Sequence, residues 1–513
     1  MRSRRLLAAV ALLAAVATPR TAGAATVPPA AGPTPRAACG AGSRPESMQG
    51  RVSADEVASG RAAQGYTCNT QLVGHTGESG GFRVHRYVDP AGHECAFYDT
   101  TTLFPTDYRL GRTSGVAVLD MSDPAHPVRT ASLLTPAMLT PHESLSLNVR
   151  RGLLAADMGN PFTYPGVVDV YDVATDCRHP VLKSSLPVGV LGHEGTFAPD
   201  GNTFYVTSIA GVISAVDVSN PVLPRLLWTD FNYRPHGLNV SDDGNRIYIA
   251  DIANANETAG LTILDVSEIQ QRRPLPKATL VSKLRWSTVS IPQTAIPVTI
   301  GGHPYLVEVD EFSRGAYAGY DPAKPVGAAR IIDIANDKSP VVVSNIRLEV
   351  NEPAQRAAIG GDPGASFALG GYTGHYCSVP QRNEPGIVAC SFVLSGLRVF
   401  DIRDPFHPKE LAYFNRPIGS GESAFALSAP AFAPSRGEVW YADGRSGFYA
   451  VKLTNGVWPY APSSGVAAPA PPPRSFNRAD SPAVLAASGR DAPLAAAALL
   501  MVLALAVRRR RST

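Results

Sequence analysis

Five histidines recur in one kind of place. Pro141-His142-Glu143, Gly192-His193-Glu194, Pro235-His236-Gly237, Gly302-His303-Pro304 and Gly374-His375-Tyr376 each open a run of strand-forming residues. Imidazole is a common metal ligand and titrates near neutrality. With Glu143 and Glu194 alongside, the set offers nitrogen and oxygen donors that suit Cu, Zn or Fe. A metal held there would polarise a substrate or activate a water. The recurrence equally fits a structural use, with a histidine bridging strands at the start of each repeat. A second group, Asp251, Glu308, Asp310 and Glu311, lies at or after strand runs and offers oxygen ligands for Ca²⁺ or solvated rim charges. The chain has no phosphate-cradling loop of the Gly-x-x-x-x-Gly-Lys type and no His-Glu-x-x-His. The remaining histidines, His75, His85, His93, His126, His179 and His407, read as turn or surface residues.

The elements that must position these side chains also repeat. A small residue, four or five strand formers, Asp, an aliphatic residue and a polar turn closed by proline recur along the chain. Gly115–Pro124 is the first copy and Gly211–Pro221 the third. The Asp positions are Asp120, Asp172, Asp217, Asp265, Asp333 and Asp401, with Lys452 in that place in a degenerate seventh copy. Their spacings are 52, 45, 48, 68, 68 and 51 residues. Spacings near 50 match one four-stranded propeller blade. The two long ones call for insertions, with 287–299 and 351–371 as candidates. Upstream of two copies, Asp200-Gly201 and Asp243-Gly244 punctuate strand pairs and predict hairpins. The expectation is an all-β propeller, seven blades of four strands. Each Asp would cap the turn that follows it. The first strand of each blade would line a central channel, so the histidines would meet at one mouth. Blade seven would place Glu422-Ser423 there.

Val-Leu-Asp-Met-Ser-Asp-Pro at 118–124 and Ala-Val-Asp-Val-Ser-Asn-Pro at 215–221 resemble the LVIVD repeat of bacterial and archaeal surface proteins. The likeness spans most of residues 66 to 455. It implies a seven-bladed propeller at the cell surface and no settled activity. The histidine array is also loosely similar to that of the selenium-binding (methanethiol oxidase) propellers, whose histidines are held to bind copper, although no motif marks membership.

The ends carry addresses. Arg2, Arg4 and Arg5, the apolar run Leu6 to Val16 and the small residues Thr21 to Ala25 read as a signal peptide over 1–25. Residues 26–65 read as a flexible leader, 66–460 as the propeller and 461–492 as a Pro/Ala-rich stalk. Residues 493–513 read as a transmembrane anchor whose arginines stay cytoplasmic if the tail is not cleaved. Leu485-Ala486-Ala487-Ser488-Gly489 resembles an actinobacterial sorting motif, with Ser488 where Thr is favoured. Eight of the 46 basic residues are arginines at the two ends; without them 38 stand against 43 acidic residues, a net charge near −5. A nucleic-acid partner is excluded on that balance. Six cysteines in an exported chain predict disulfides, with Cys377 and Cys390 bracketing a hairpin. Two functions fit: a surface binding or scaffold module for a protein, peptide or glycan, and a metal-dependent extracellular oxidoreductase or hydrolase.

Overall fold

A computed structural model of the chain describes residues 25–27, 32–102, 106–111, 114–159, 164–253, 257–313, 323–367 and 370–460. Seven sheets, each built on four antiparallel strands, form the blades of a propeller; two carry a fifth strand from the N-terminal part of the chain, Ala25–Val27 in parallel on Thr279–Trp286 and Tyr66–Cys68 antiparallel on Lys409–Asn415. Blades I to VI span 84–133, 146–186, 194–230, 235–286, 291–346 and 374–415. Blade VII takes three strands from 431–453 and its outermost strand, Thr70–Thr76, from the N-terminal side of the chain. That strand pairs with Gly447–Leu453 and so closes the ring.

The period-2 alternation of the strands explains why the blades stack. In Glu94–Asp99, Phe97 turns toward blade II, whereas Ala96 and Tyr98 turn toward blade VII. Every blade is apolar on both faces, and the buried residues fall into seven clusters, one per blade junction. Each buried large side chain contributes about 1.5–3 kcal/mol, which a lone blade with two apolar faces could not realise.

The repeated aspartates end the third strand of blades I to VI. In every case one carboxylate oxygen accepts the backbone N–H two residues on, at 2.8–3.0 Å: Ser122, Ala174, Ser219, Ser267, Ala335 and Arg403. These are Asx turns. The Asp200-Gly201 and Asp243-Gly244 hairpins form between the first two strands of blades III and IV.

Two expectations change. Residues 287–299 are mostly not an insertion, because Ile291–Ile300 is the long innermost strand of blade V. The extra length of that repeat lies in the extended hairpin 291–311 and the connection after it. The other insertion stands, as short helical turns over 349–359 between blades V and VI. The described part of the leader is not flexible. Cys39 is bridged to Cys68, Val52 and Ala62 join an apolar cluster with Tyr413, and Glu46 pairs with Arg398 of blade VI. Its Pro/Ala/Gly-rich composition misled because the anchors are few, with Glu46, Val52 and Ala62 buried.

Cys95–Cys177 ties blade I to blade II, and Cys377–Cys390 joins the first two strands of blade VI. Residues 1–24 of the signal peptide, the stalk and sorting motif, and the anchor over 493–513 lie outside the described residues. Among the described residues no helix is long and apolar enough to cross a membrane.

Candidate metal centre

The first strands of neighbouring blades run parallel around the channel, as the Glu143–Glu194 and Arg83–Ala429 bridges show. Side chains at the start of these strands therefore face one another. His142, His193, His236 and His375 converge there from blades II, III, IV and VI. Glycine is required beside two of them. A Cβ on Gly192 would lie 1.7 Å from an Asp157 oxygen, and one on Gly237 1.4 Å from a Glu194 oxygen. His142 itself adopts φ 50°, a left-handed conformation that costs about 1–3 kcal/mol for such a residue and clusters at functional sites.

Glu143 sits among the four rings. Its carboxylate lies 3.4 Å from His193 Nε2, 3.5 Å from His236 Nε2, 3.5 Å from His375 Nε2 and 3.9 Å from His142 Nε2. Glu311, at the end of the second strand of blade V, lies 3.3 Å from His236 Nε2 and 3.1 Å from His375 Nε2. His236, His375, His193, Glu143 and Glu311 are all buried.

Hydrogen bonds fix two of the tautomers. His236 Nδ1 donates to the Pro292 carbonyl at 2.9 Å, and His375 Nδ1 to the Leu427 carbonyl at 2.7 Å. A carbonyl only accepts, so Nδ1 carries a proton in both. In the neutral rings Nε2 then presents a lone pair toward carboxylate oxygens. Neither nitrogen of His193 has a hydrogen-bond partner, nor does Glu143 Oε2. Such lone-pair contacts require a cation between the atoms, either a proton or a metal.

The electrostatics divide the rings. Burial lowers the His142 pKa to about 4, against the pull of Glu143, and pushes His193 well below the usual range with the help of His142. Burial also disfavours a charged His375, but hydrogen bonds to Glu143 and Glu311 outweigh it and raise its pKa to about 9. Burial would raise Glu143, yet the surrounding imidazoles hold it well below the carboxylate range.

A second layer supports the first. Arg83 donates through Nε to the Glu143 carbonyl at 2.9 Å and through Nη2 to Glu194 Oε1 at 2.7 Å. Its guanidinium lies over the Tyr376 ring at 4.1 Å. Gln293 donates to Tyr376 Oη at 2.6 Å. Glu194 thus belongs to this supporting layer with Arg83, its pKa raised to about 8 by burial.

Of the predicted site residues, four histidines and Glu143 meet, and His303 does not. It lies on the second strand of blade V, 43% exposed at its side chain, paired with Asp333 at 2.9 Å. The cause is the misread first strand of that blade, whose channel position belongs to Ile291 and whose site residue is Glu311. Glu422-Ser423 does not take the blade VII position: Glu422 is exposed and pairs with Arg416, while Leu427 lines the channel. The Ca²⁺ candidates are otherwise ion pairs. Asp251 binds Arg285 at 2.8 Å, and Glu308 and Asp310 both bind Arg330. Glu311 alone of that group joins the site. Arg83, Gln293 and Tyr376 carry no repeat signal beyond Tyr376 following His375.

Above the centre opens a cavity of about 1090 Å³. The four histidines, Glu143 and Glu311 form its floor, and Phe82, Ile209, Phe312, Phe367, Phe425 and Leu427 are among its walls. Phe82 packs edge-on to His142 at 4.3 Å between ring centroids and also touches His375 at 5.4 Å.

Neither a protein family nor a curated protein matches the chain by sequence. Solved structures align with much of the chain at low identity. Hydrazine synthase of Kuenenia stuttgartiensis aligns over 74% of this chain and 97% of its own, at 12% identity and TM-score 0.47. The β-propeller domain of Cps50 (Swd1) from Myceliophteria thermophila aligns over 75% and 99%, at 12% identity and TM-score 0.44. The periplasmic gluconolactonase PpgL of Pseudomonas aeruginosa aligns over 66% and 92%, at 12% identity and TM-score 0.42. These likenesses concern the fold alone.

Proposed function

We propose that this chain is an exported metal-dependent enzyme with a transition-metal centre at the channel mouth. The observation that carries this reading is the convergence of four imidazole Nε2 atoms on the Glu143 and Glu311 carboxylates, in a buried site where neither His193 nitrogen has a hydrogen-bond partner. Donors on one metal at 2.0–2.1 Å and tetrahedral angles lie about 3.3–3.4 Å apart, and the contacts here are 3.1–3.9 Å. Nitrogen and carboxylate donors without thiolate suit Zn, Fe, Cu or Mn; every cysteine is in a disulfide. When bound, the metal supplies Lewis acidity to a substrate or water on it. The chain's own part is to hold His236 and His375 by Nδ1, brace Glu143 through Arg83 and wall the site with phenylalanines. The cavity fits a small, largely apolar substrate. A binding or scaffold role for the rim loops, with a protein, peptide or glycan, follows from the fold alone and ranks second.

Elemental analysis of the purified protein tests the reading. We expect at least about one equivalent of a transition metal, and less in His193→Ala than in wild type because ligand loss costs affinity. Less than about a tenth of an equivalent, after attempted reloading with Zn, Mn, Fe and Cu, overturns it.

The three disulfides suit an oxidising compartment. With the basic, apolar ends of the sequence they support export and a surface tether through the C-terminal tail. Deleting 493–513 should release the protein to the medium; retention on cells would remove the tail as the tether.

A further inference from the structure

We infer that the channel mouth holds two metal ions, with Glu143 as the carboxylate between them. The inference rests on the metal-centre reading and specifies its cofactor. Two sets of donors have ligand atoms within 4.8 Å of one another: His142, Glu143 and His193, and Glu143, His236 and Glu311. Glu143 is common to both. The first set comes from blades II and III. The second comes from blades IV and V, and His375 of blade VI joins it, 3.1 Å from Glu311 and 3.5 Å from Glu143.

The carboxylate geometry fits this division. Glu143 Oε2 is the oxygen near His193 and His236, one ring from each set, whereas Oε1 is the oxygen near His142 and His375, again one from each. A carboxylate between two ions gives one oxygen to each, and Oε2 beside His193 can serve the first set while Oε1 beside His375 serves the second. Glu311 faces only the second set, with Oε1 toward His236 and Oε2 toward His375. The two sites are unequal. The second has two imidazoles and two carboxylates. The first has two imidazoles and a share of Glu143, so it retains open positions, and its His193 nitrogens and Glu143 Oε2 are the buried atoms without partners. Carboxylate-sharing ions in two-metal enzymes stand about 3.5–4 Å apart and hold a reactant between them. The first ion would bind the substrate or water, and the second would be the more firmly held.

Purified full-length protein is stripped with chelator, reloaded with Mn²⁺ or Zn²⁺, desalted and assayed for bound metal. Wild type should retain about two equivalents. His193→Ala should retain about one, and Glu311→Gln also about one, each from the site left intact. Mn²⁺-loaded wild type should give the spin-coupled electron paramagnetic resonance signal of a close pair, a readout that needs no variant to fold. A single equivalent in wild type with an uncoupled Mn²⁺ signal overturns the two-ion inference and leaves the metal centre standing. No retained metal overturns both.

Discussion

The molecule buries charge in two ways, and they contrast. On the blade faces, carboxylates meet arginine. Arg398 binds Glu46 at 2.6 Å and Glu410 at 3.0 Å, with all three buried. Arg285 binds Asp251 at 2.8 Å, and Arg330 holds Asp310 and Glu308 while covering the Trp286 ring at 4.0 Å. Those contacts have hydrogen-bond lengths, and the positive charge is permanent. At the channel mouth, carboxylates meet imidazoles at longer range, and His193 and Glu143 keep unpartnered atoms. The Arg398 cluster with Glu46 and Glu410 is complete by itself, every carboxylate oxygen accepting a hydrogen bond. The histidine–glutamate cluster, on the proposed reading, is completed by metal ions.

The comparison breaks most sharply at Arg398. Replacing it with Met leaves Glu46 and Glu410 buried without a counter-charge and should cost about 3–5 kcal/mol. Denaturant unfolding would measure the loss. The metal content of the folded fraction should not change, because Arg398 braces the leader on blade VI and not the channel. Reduced metal content in folded Arg398→Met protein would mean that the two clusters are one network.

Arg83 is where the two kinds of cluster touch. It is a permanent cation that meets Glu194 and supports the Glu143 backbone without being a ligand. Arg83→Lys keeps the charge but loses the fork and the stacking on Tyr376. Metal affinity should fall about 10–100-fold, the usual effect of losing a ligand's support. Competition titration against a chromophoric chelator reads this directly. Unchanged affinity would assign Arg83 to packing alone.

The turn aspartates give a smaller effect. Asp120 accepts from Ser122 N–H at 2.9 Å and Ser122 Oγ at 2.6 Å in a part-exposed turn. Asp120→Ala should destabilise by about 1 kcal/mol, with metal content unchanged. A loss of bound metal would give these aspartates a role beyond their turns.

The same aspartates explain what was legible in the sequence. A turn cap depends on residues two apart, so the repeat of Asp and proline reports the third strand of a blade directly. His142, His193, His236 and His375 were readable because each stands at the start of a first strand in register with that repeat. Glu311 was not, since it enters from the end of a second strand and only the longer hairpin of blade V brings it to the mouth. Arg83 precedes any copy of the motif, and its partners Glu194 and Tyr376 are distant in the chain. The leader failed for the same reason: Glu46 and Arg398 are 352 residues apart, and composition carries no record of such a contact.

His303 supplies the control that isolates position from residue type. It shares the Gly-His signature of His193 and His375, yet it lies at the turn between the first two strands of blade V, paired with Asp333 at 2.9 Å. If the centre depends on where the ring stands, His303→Ala should leave metal stoichiometry and affinity unchanged. It should cost at most about 1 kcal/mol, the value of an exposed pair. His375→Ala, read in the same elemental assay, should lose metal. Equal losses from both substitutions would mean that the histidines bind metal as scattered surface ligands, and the channel mouth would lose its claim as the site.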